Sequence, residues 1–197
     1  MYAFEILESR RLLAGNVKAA VKGETLILTG DNAGNQIDID GVNGNITVTG
    51  IGTVINGSNT ELSFSGIENV VVNLKKGDDV VNLGRLGDLV ILHNLSINTA
   101  GGDDIVDFWG LIGALEVGGN IQIKTGGGAD EVYLDGITVQ DSVSVDLGGG
   151  SDLVNVSQCT FLDSAFINGR GGFDQVFDAG GNNSFPLLKS IESVLVD

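Results

Sequence analysis

Five glycine-rich segments of the chain each end in an aspartate, and carboxylate oxygens are the ligands that hard cations such as calcium prefer. The five residues recur at intervals of 25, 26, 22 and 22 residues. They are Asp79, Asp104, Asp130, Asp152 and Asp174. If equivalent residues stack about 4.8 Å apart, neighbouring carboxylates repel each other by roughly 3 kcal/mol at an effective dielectric constant near 20. A bound calcium ion removes that repulsion, so these aspartates are candidate metal ligands.

The same aspartates also have a purely structural interpretation. Aspartate side chains commonly accept hydrogen bonds from backbone N–H groups of their own turn while they face water. The doubled acids at Asp78–Asp79 and Asp103–Asp104 favour a cation locally. Both interpretations, a calcium site and a turn that the aspartate merely closes, stay open on the sequence.

An interval of 22 to 26 residues that repeats along a chain is typical of a solenoid. Apolar and polar residues alternate within each repeat, which is the period of a strand. Three strands fit into each repeat, and their inward-facing columns include the following residues: Val70, Leu95, Ile121, Val143 and Ala165; Val81, Val106, Val132, Val154 and Val176; Leu89, Leu115, Ile137 and Cys159. The pattern predicts an all-β fold, a right-handed parallel β-helix of about six to seven coils with three strands per coil of about 22 residues.

The solenoid is expected to span residues 22–181 and to be capped at both ends, because its end coils otherwise expose apolar edges. Residues 1–21 are interpreted as an N-terminal capping or sorting segment, with an amphipathic helix within residues 1–15. Residues 182–197 are interpreted as a closing strand. Asn35 lies 44 residues before Asp79, an interval that we interpret as two further periods.

The acidic composition argues against some classes of binding partner. The net charge of −16 over 197 residues argues against nucleic acid and against anionic membranes. No apolar run is long enough to predict a membrane-spanning helix. No ordinary signal peptide is visible near the N-terminus. Cation binding, or contact with polysaccharide or other cell-surface components, is therefore favoured.

A second candidate site lies where two repeats are longer than the others, at GRLGD (84–88) and FWGLIGA (108–114). We expect adjacent bulges there, and aromatic patches suit sugar or partner binding. The candidate ligand patch comprises Trp109, Phe108, Arg85, Asp107 and Tyr133. The alternative is a loop whose tryptophan packs on its own solenoid.

No pair of carboxylates suited to catalysis stands out in the sequence, so a non-catalytic protein is favoured over an enzyme. A carbohydrate-active β-helix, lyase-like or sugar-binding, is the alternative. A carboxylate cluster within about 10 Å on one face beside Trp109 would favour that alternative.

The glycine-rich turns resemble calcium-binding repeats of the RTX (repeats-in-toxin, haemolysin-type) family, whose pattern is G-G-x-G-x-D-x-U-x. In TGGGADEVY, Gly126 and Gly128 match two glycine positions, Asp130 matches the aspartate and Val132 matches the inward apolar position. The resemblance implies a bacterial surface β-solenoid that binds calcium. The motif occurs here once per coil, whereas the family carries it in tandem nonapeptides.

The stretch LESRRLLAG (7–15) resembles the LEPR-XLL motif found near the start of many large planctomycete surface proteins. Glu8, Arg10, Leu12 and Leu13 match the motif, and Ser9 stands where it has proline. This resemblance implies export to the cell surface or beyond it. The leading expectation is a non-catalytic, acidic, exported β-helix that binds calcium and has a structural or adhesive role.

Overall fold

The computed structural model describes residues 15–110, 113–179, 187–189, 191 and 193–196. These residues form strands and turns without a helix, so the all-β prediction is confirmed. The strands are β1 (Asn16–Lys22), β2 (Thr25–Thr29), β3 (Gln36–Val42), β4 (Asn45–Gly50), β5 (Val54–Ile55), β6 (Leu62–Phe64), β7 (Asn69–Asn73), β8 (Val80–Leu83), β9 (Leu89–Ile91), β10 (Leu95–Asn98), β11 (Ile105–Trp109), β12 (Leu115–Val117), β13 (Ile121–Gly127), β14 (Glu131–Asp135), β15 (Ile137–Val139), β16 (Val143–Gly150), β17 (Leu153–Ser157), β18 (Thr160–Phe161), β19 (Ala165–Asn168), β20 (Gly171–Gly172), β21 (Gln175–Ala179), β22 (Leu187–Lys189) and β23 (Ser193–Val196). The helix expected within residues 1–15 lies outside the described residues, apart from Gly15.

The strands stack into three sheets that run along one axis. The first sheet has the order β22-β19-β16-β13-β10-β7-β2-β1-β5, with β20 beside β16. The second has the order β23-β21-β17-β14-β11-β8-β3-β4-β6, and the third has the order β18-β15-β12-β9. From β7 to β18 the chain visits the three sheets in rotation, and every pairing between successive coils is parallel. The protein is therefore a β-solenoid of stacked parallel coils, as the sequence predicts, with about four turns that contribute to all three sheets.

The inward columns read from the sequence form the core. Leu95 pairs with Val70 on one side and with Ile121 on the other, in the predicted register. The second column has no exposed surface at any of its members, which are Val81, Val106, Val132, Val154 and Val176. Cys159 continues the third column and is also buried. Each aliphatic side chain removed from water in this way contributes roughly 1.5–3 kcal/mol, so the stacked columns hold the coils together.

The predicted boundary between residues 21 and 22 falls inside a hairpin. Strand β1 runs antiparallel to β2, with Lys18 opposite Thr29, so residues 16–21 belong to the first sheet. At the other end, residues 182–197 contribute two strands rather than one: β22 joins the first sheet beside β19, and β23 joins the second sheet beside β21.

The interval between Asn35 and Asp79 is one coil, and the prediction of two periods there is wrong. The Asn35 backbone N–H donates a hydrogen bond of 2.7 Å to Asp79 Oδ1, so the two residues occupy neighbouring coils. Between them the chain leaves the stack, because β4 turns back antiparallel to β3 and β6 then pairs antiparallel with β4. The reversal follows from Asn43 and Gly44, whose φ angles of 52° and 76° suit the tight turn of a β-hairpin.

Side chains at the corner between the third and first sheets also link successive coils. The backbone N–H of Asn120 donates to Asn94 Oδ1 at 3.0 Å, and that of Ser142 donates to Asn120 Oδ1 at 3.2 Å. The Ser164 hydroxyl donates to the Ser142 hydroxyl at 2.9 Å. The turn at this corner is thus fixed by hydrogen bonds along the stack.

Another corner, between the first and second sheets, requires glycine at one position of each turn that carries one of the five aspartates. Two residues before each aspartate the backbone has a positive φ, for example 130° at Gly102 and 141° at Gly128. A Cβ atom on Gly128 would lie 1.9 Å from the carbonyl oxygen of Gly102 in the neighbouring coil. No other residue fits there without moving a backbone.

Four residues before each aspartate the φ angle is again positive, but the residue is not always glycine. Lys75, Ala100 and Arg170 adopt φ angles of 78°, 69° and 66°, close to the left-handed helical region that other residues enter at modest cost. This explains why the first glycine of the motif is missing from most copies while the fold of the turn is retained.

We predict that Gly128→Ala lowers the free energy of unfolding by about 2–4 kcal/mol, because the added Cβ clashes with a backbone oxygen at a strained φ. Gly127→Ala is the matched control, because Gly127 is exposed and a Cβ on it would lie 3.8 Å from the Gly149 carbonyl oxygen, an ordinary van der Waals contact. We expect the control to change stability by less than about 1 kcal/mol. Urea denaturation followed by circular dichroism measures both, and equal effects of the two substitutions would contradict the prediction.

Candidate functional site

The five aspartates predicted as metal ligands lie in one buried column at the corner between the first and second sheets. Each is at most 2% exposed. We call Asp79, Asp104, Asp130, Asp152 and Asp174 the aspartate column. The prediction that these residues lie together is confirmed. The structural interpretation expected their side chains to face water, but their carboxyl groups are buried inside the corner.

One oxygen of each carboxyl group in the aspartate column binds the backbone of the preceding coil. Asp104 Oδ1 accepts a hydrogen bond of 2.8 Å from the Asp79 N–H, and Asp130 Oδ1 accepts one of 2.9 Å from the Asp104 N–H. The same bond joins Asp130 to Asp152 at 2.9 Å and Asp152 to Asp174 at 3.1 Å. The N–H donor therefore comes from the neighbouring coil and not from the aspartate's own turn, which the sequence did not indicate.

The second carboxyl oxygen, Oδ2, does not share these hydrogen bonds. Oδ2 of Asp79, Asp104, Asp130 and Asp152 is buried and has no hydrogen-bond partner among the described residues. A buried carboxylate oxygen without a partner is costly, because it has lost its hydration and gained nothing in return. Protonation of the carboxyl group or a bound cation relieves this cost.

Burial raises the pKa of these carboxyl groups well above the ordinary value for aspartate. The pKa of Asp79 rises to about 7, with the charge of Asp104 adding to the effect and the hydrogen bonds from Asn35 opposing it. Burial likewise raises the pKa of Asp104 and of Asp152 to about 6, and it raises the pKa of Asp130. The folded chain therefore holds protons in this column at pH values where an exposed aspartate has lost them.

The doubled acids lie at the surface of the same corner. Asp78 Oδ1 accepts a hydrogen bond of 3.0 Å from the Asp103 N–H, and Asp103 Oδ1 accepts one of 2.8 Å from the Ala129 N–H. These exposed carboxylates also join neighbouring coils, but in the opposite direction, because the amide of the later coil donates to the carboxylate of the earlier one. Asp78 and Asp103 are therefore the acidic groups of this corner that are exposed to solvent.

The second site is a recess on the outer face of the second sheet, with a volume of about 230 Å³. We call it the flank recess, and it is lined by Asp107, Trp109, Tyr133 and Asp135. Asp107 and Trp109 point outward from β11, and they pair with Tyr133 and Asp135 of β14. The structure therefore brings three of the predicted patch residues together and adds Asp135 to them.

Phe108 does not belong to this site, and its assignment to the ligand patch is corrected. It has no exposed surface, because β11 alternates and places Val106 and Phe108 in the core. Trp109 is 37% exposed, so its ring is available to a ligand and not wholly packed on its own solenoid. Counting strand alternation from Val106 is enough to separate the two aromatic residues.

Arg85 stands beside the flank recess without lining it. Its guanidinium carbon lies 5.4 Å from the centroid of the Trp109 ring, a cation–π distance. It also forms an ion pair of 3.6 Å with Asp38, a partner that the sequence did not indicate. Arg85 therefore holds the indole ring in place from a neighbouring coil.

The pKa values of three polar groups that line the flank recess are raised above their ordinary values. Burial raises the pKa of Asp107, with the charge of Asp135 adding to it, while a hydrogen bond from Trp109 and the charge of Arg85 oppose it. Burial also raises the pKa of Asp135. The Tyr133 hydroxyl donates a hydrogen bond of 2.6 Å to Glu131, and this bond chiefly raises the pKa of Tyr133 to about 12. The phenol is thus held by its hydrogen bond to Glu131.

We predict that the protein loses stability as the pH rises from about 4 to about 7 in calcium-free buffer. Unfolded aspartates ionise near pH 4, whereas the folded column holds its protons until about pH 6 to 7. Between these values the folded state binds more protons, so its advantage is complete below pH 4 and is lost as the pH rises through the folded pKa. For Asp152 alone the loss is up to about 3 kcal/mol.

Urea denaturation at a series of pH values measures this dependence. Asp152→Asn should flatten the curve, because the amide keeps an oxygen acceptor and does not titrate. Asp141→Asn, at an exposed position, is the control and should leave the curve parallel to the parent. A parent protein that gains stability from pH 4 to pH 7 would show that the column does not hold protons.

Comparison with known proteins identifies no relative from which the roles of these two sites could be inferred. No family model, curated protein or solved structure matches the chain. Within the part of the chain that the structure describes, no group of three or more histidine, cysteine, aspartate or glutamate side chains is arranged to hold a metal ion. The same residues include no helix long and apolar enough to cross a membrane.

Proposed function

We propose that the protein is a non-catalytic, acidic β-solenoid with a structural and adhesive role at the cell surface or outside the cell, and that it adheres by binding carbohydrate in the flank recess. The observation that carries this proposal is the grouping of Asp107, Trp109, Tyr133 and Asp135 around one recess. The resemblance of residues 7–15 to a surface-protein motif supports the proposed location.

The flank recess has the chemistry that sugar rings need. An aromatic face packs against the apolar C–H groups of a pyranose, and carboxylate oxygens accept hydrogen bonds from its hydroxyl groups. Asp107 and Asp135 are diagonal neighbours on adjacent strands, so the strand spacing and rise put their Cα atoms roughly 8 Å apart. Two carboxylates this close together beside Trp109 support carbohydrate binding over a solenoid with acidic turns alone.

The proposal assigns the two carboxyl groups of the flank recess to ligand recognition and not to catalysis. Burial raises the pKa of both Asp107 and Asp135.

We predict that Trp109→Ala weakens binding of neutral β-linked oligosaccharides by about tenfold or more, the loss of about 1.4 kcal/mol expected when a central aromatic contact is removed. The probes are cellohexaose and the N-acetylglucosamine hexamer, measured by isothermal titration calorimetry. Phe173→Ala is the matched control, because Phe173 is an exposed aromatic residue that does not line the recess. An equal effect of the two substitutions, or absence of binding to either hexamer, would count against the proposal.

Calcium binding at the aspartate column is the second candidate function. It is favoured by the buried Oδ2 atoms of Asp79, Asp104, Asp130 and Asp152, which lack partners among the described residues. These hard oxygen donors suit calcium, and backbone carbonyls of the glycine turns are needed to complete its shell. Because each Oδ1 already binds a backbone N–H, the alternative in which the carboxyl groups only join the coils rests on equally direct contacts.

We predict for calcium binding that millimolar Ca²⁺, but not Mg²⁺, raises the melting temperature of chelator-stripped protein, because a ligand of the folded state stabilises it by about 2.7 kcal/mol at a hundredfold excess over Kd. The rise should be larger at pH 8 than at pH 5, since protons compete for the same oxygens.

Asp130→Asn with Asp152→Asn should abolish the calcium effect, while Glu116→Gln with Asp141→Asn, which removes two exposed charges elsewhere, should not. If calcium produces no shift at either pH, the aspartates join the coils without metal.

The finer features of the fold are also proposals. A right-handed solenoid is supported by the general preference of parallel crossover connections. About six to seven coils are supported by the seven parallel rungs of the first sheet, from β2 to β22. Capping of both ends is supported by the need to cover apolar edges, and the hairpins of β1 and β4 lie at one of those ends.

A further inference from the structure

The flank recess carries more negative charge than its surroundings neutralise. Asp107 and Asp135 both line it, and the Tyr133 hydroxyl beside them is bonded to a third acid, Glu131. Ion pairs join Arg85 to Asp38 and Arg170 to Asp146, and His93 Nδ1 lies 3.1 Å from Glu68 Oε2. None of these ion pairs involves the two aspartates of the recess.

Among the described residues, the cation that lies beside the recess is Arg85, and its guanidinium group already has partners. Arg85 pairs with Asp38 at 3.6 Å and lies over the Trp109 ring, and it is not among the residues that line the recess. Its position does show that the Trp109 ring accommodates a cation at 5.4 Å from its centroid. The recess therefore combines two half-buried acids with aromatic rings, an arrangement that attracts a positive charge through both ion pairing and cation–π contact.

Neutral sugars use only part of this chemistry. Their hydroxyl groups donate hydrogen bonds to carboxylates, but they leave two negative charges close together in a partly desolvated site. A ring that carries a protonated amine satisfies the same hydrogen bonds and neutralises charge as well. The distance of roughly 8 Å between the two Cα atoms leaves room for one pyranose unit between the carboxyl groups.

We propose that the flank recess recognises an amino sugar in its protonated form, as a unit of an amine-bearing polysaccharide. This inference rests on the proposed function, because it assigns the class of carbohydrate that the same site takes. One of the two carboxyl groups, Asp107 or Asp135, pairs with the ammonium group, the other accepts hydrogen bonds from the ring hydroxyls, and Trp109 with Tyr133 packs against the sugar ring.

The test compares two hexamers that differ only at the sugar nitrogen. The glucosamine hexamer carries amines, and the N-acetylglucosamine hexamer carries neutral amides on the same backbone. At about pH 6 and moderate salt, we expect the parent protein to bind the glucosamine hexamer about tenfold more tightly, as measured by calorimetry. This ratio of affinities is the quantity to follow in the variants.

Matched variants separate recognition in the recess from general attraction to an acidic protein. Asp107→Asn with Asp135→Asn should bring the ratio close to one, whereas Glu116→Gln with Asp141→Asn, which removes the same charge from exposed positions outside the recess, should keep it. Trp109→Ala should weaken the binding of both hexamers. A ratio that survives in the recess variant, or that falls equally in both double variants, would overturn the assignment.

The outcomes for this inference and for the proposed function are distinct. Equal binding of the two hexamers by the parent protein leaves carbohydrate binding in place and overturns the amino-sugar assignment. Binding of neither hexamer overturns both. Circular dichroism of each variant confirms that a lost signal reflects the site and not the fold.

Discussion

Successive coils of this solenoid lie one strand spacing apart, about 4.8 Å, and every backbone group at a buried corner must find its partner within that distance. Between the strands the sheets meet this requirement by themselves. At the corners the chain bends and the backbone hydrogen bonds between strands are interrupted. Side chains there form hydrogen bonds with the backbone groups that are left. Asp104, Asp130 and their equivalents do so at one corner, and Asn94 and Asn120 do so at another.

The same spacing explains why glycine and aspartate recur together. A turn that approaches its neighbour this closely has no space for a Cβ, as the contact between Gly128 and the Gly102 carbonyl shows. The turn also leaves a backbone N–H inside the corner, and a short acidic side chain reaches it from the next coil. The cost is a second carboxyl oxygen buried without a partner, which raises the pKa of Asp79 and Asp152.

Much of the architecture could be predicted from the sequence because it depends on simple periodicity. The alternation that places Val106 and Val132 inward also sets which residues pair across coils, and the structure has that register. The departure of the chain between Asn35 and Asp79 was missed because its length equals two periods, although the Asn43–Gly44 pair signals a hairpin. The source of each N–H donor could not be predicted, since spacing along the chain does not say which coil's amide a carboxyl group meets.

The flank recess was only partly foreseeable for a different reason. Its members come from β11 and β14, and alternation correctly puts Asp107 and Trp109 on the outer face while it excludes Phe108. The ion pair between Arg85 and Asp38 depends on the path of a loop, which no periodic pattern specifies. The outer face is built from side chains that do not pack in the core, so substitutions there can change the chemistry of the recess and leave the stack unchanged.

The hydrogen bonds of the aspartate column all run in one direction along the axis. In each of them the amide of an earlier coil donates to the carboxyl group of the coil that follows it. Within this column the amide of each coil is therefore satisfied by its successor, whereas at the asparagine corner and at the exposed acids the amide of each coil is satisfied by its predecessor. Every such junction is the same donor and acceptor pair, so the column is a unit that lengthens or shortens by whole coils without any change in its chemistry.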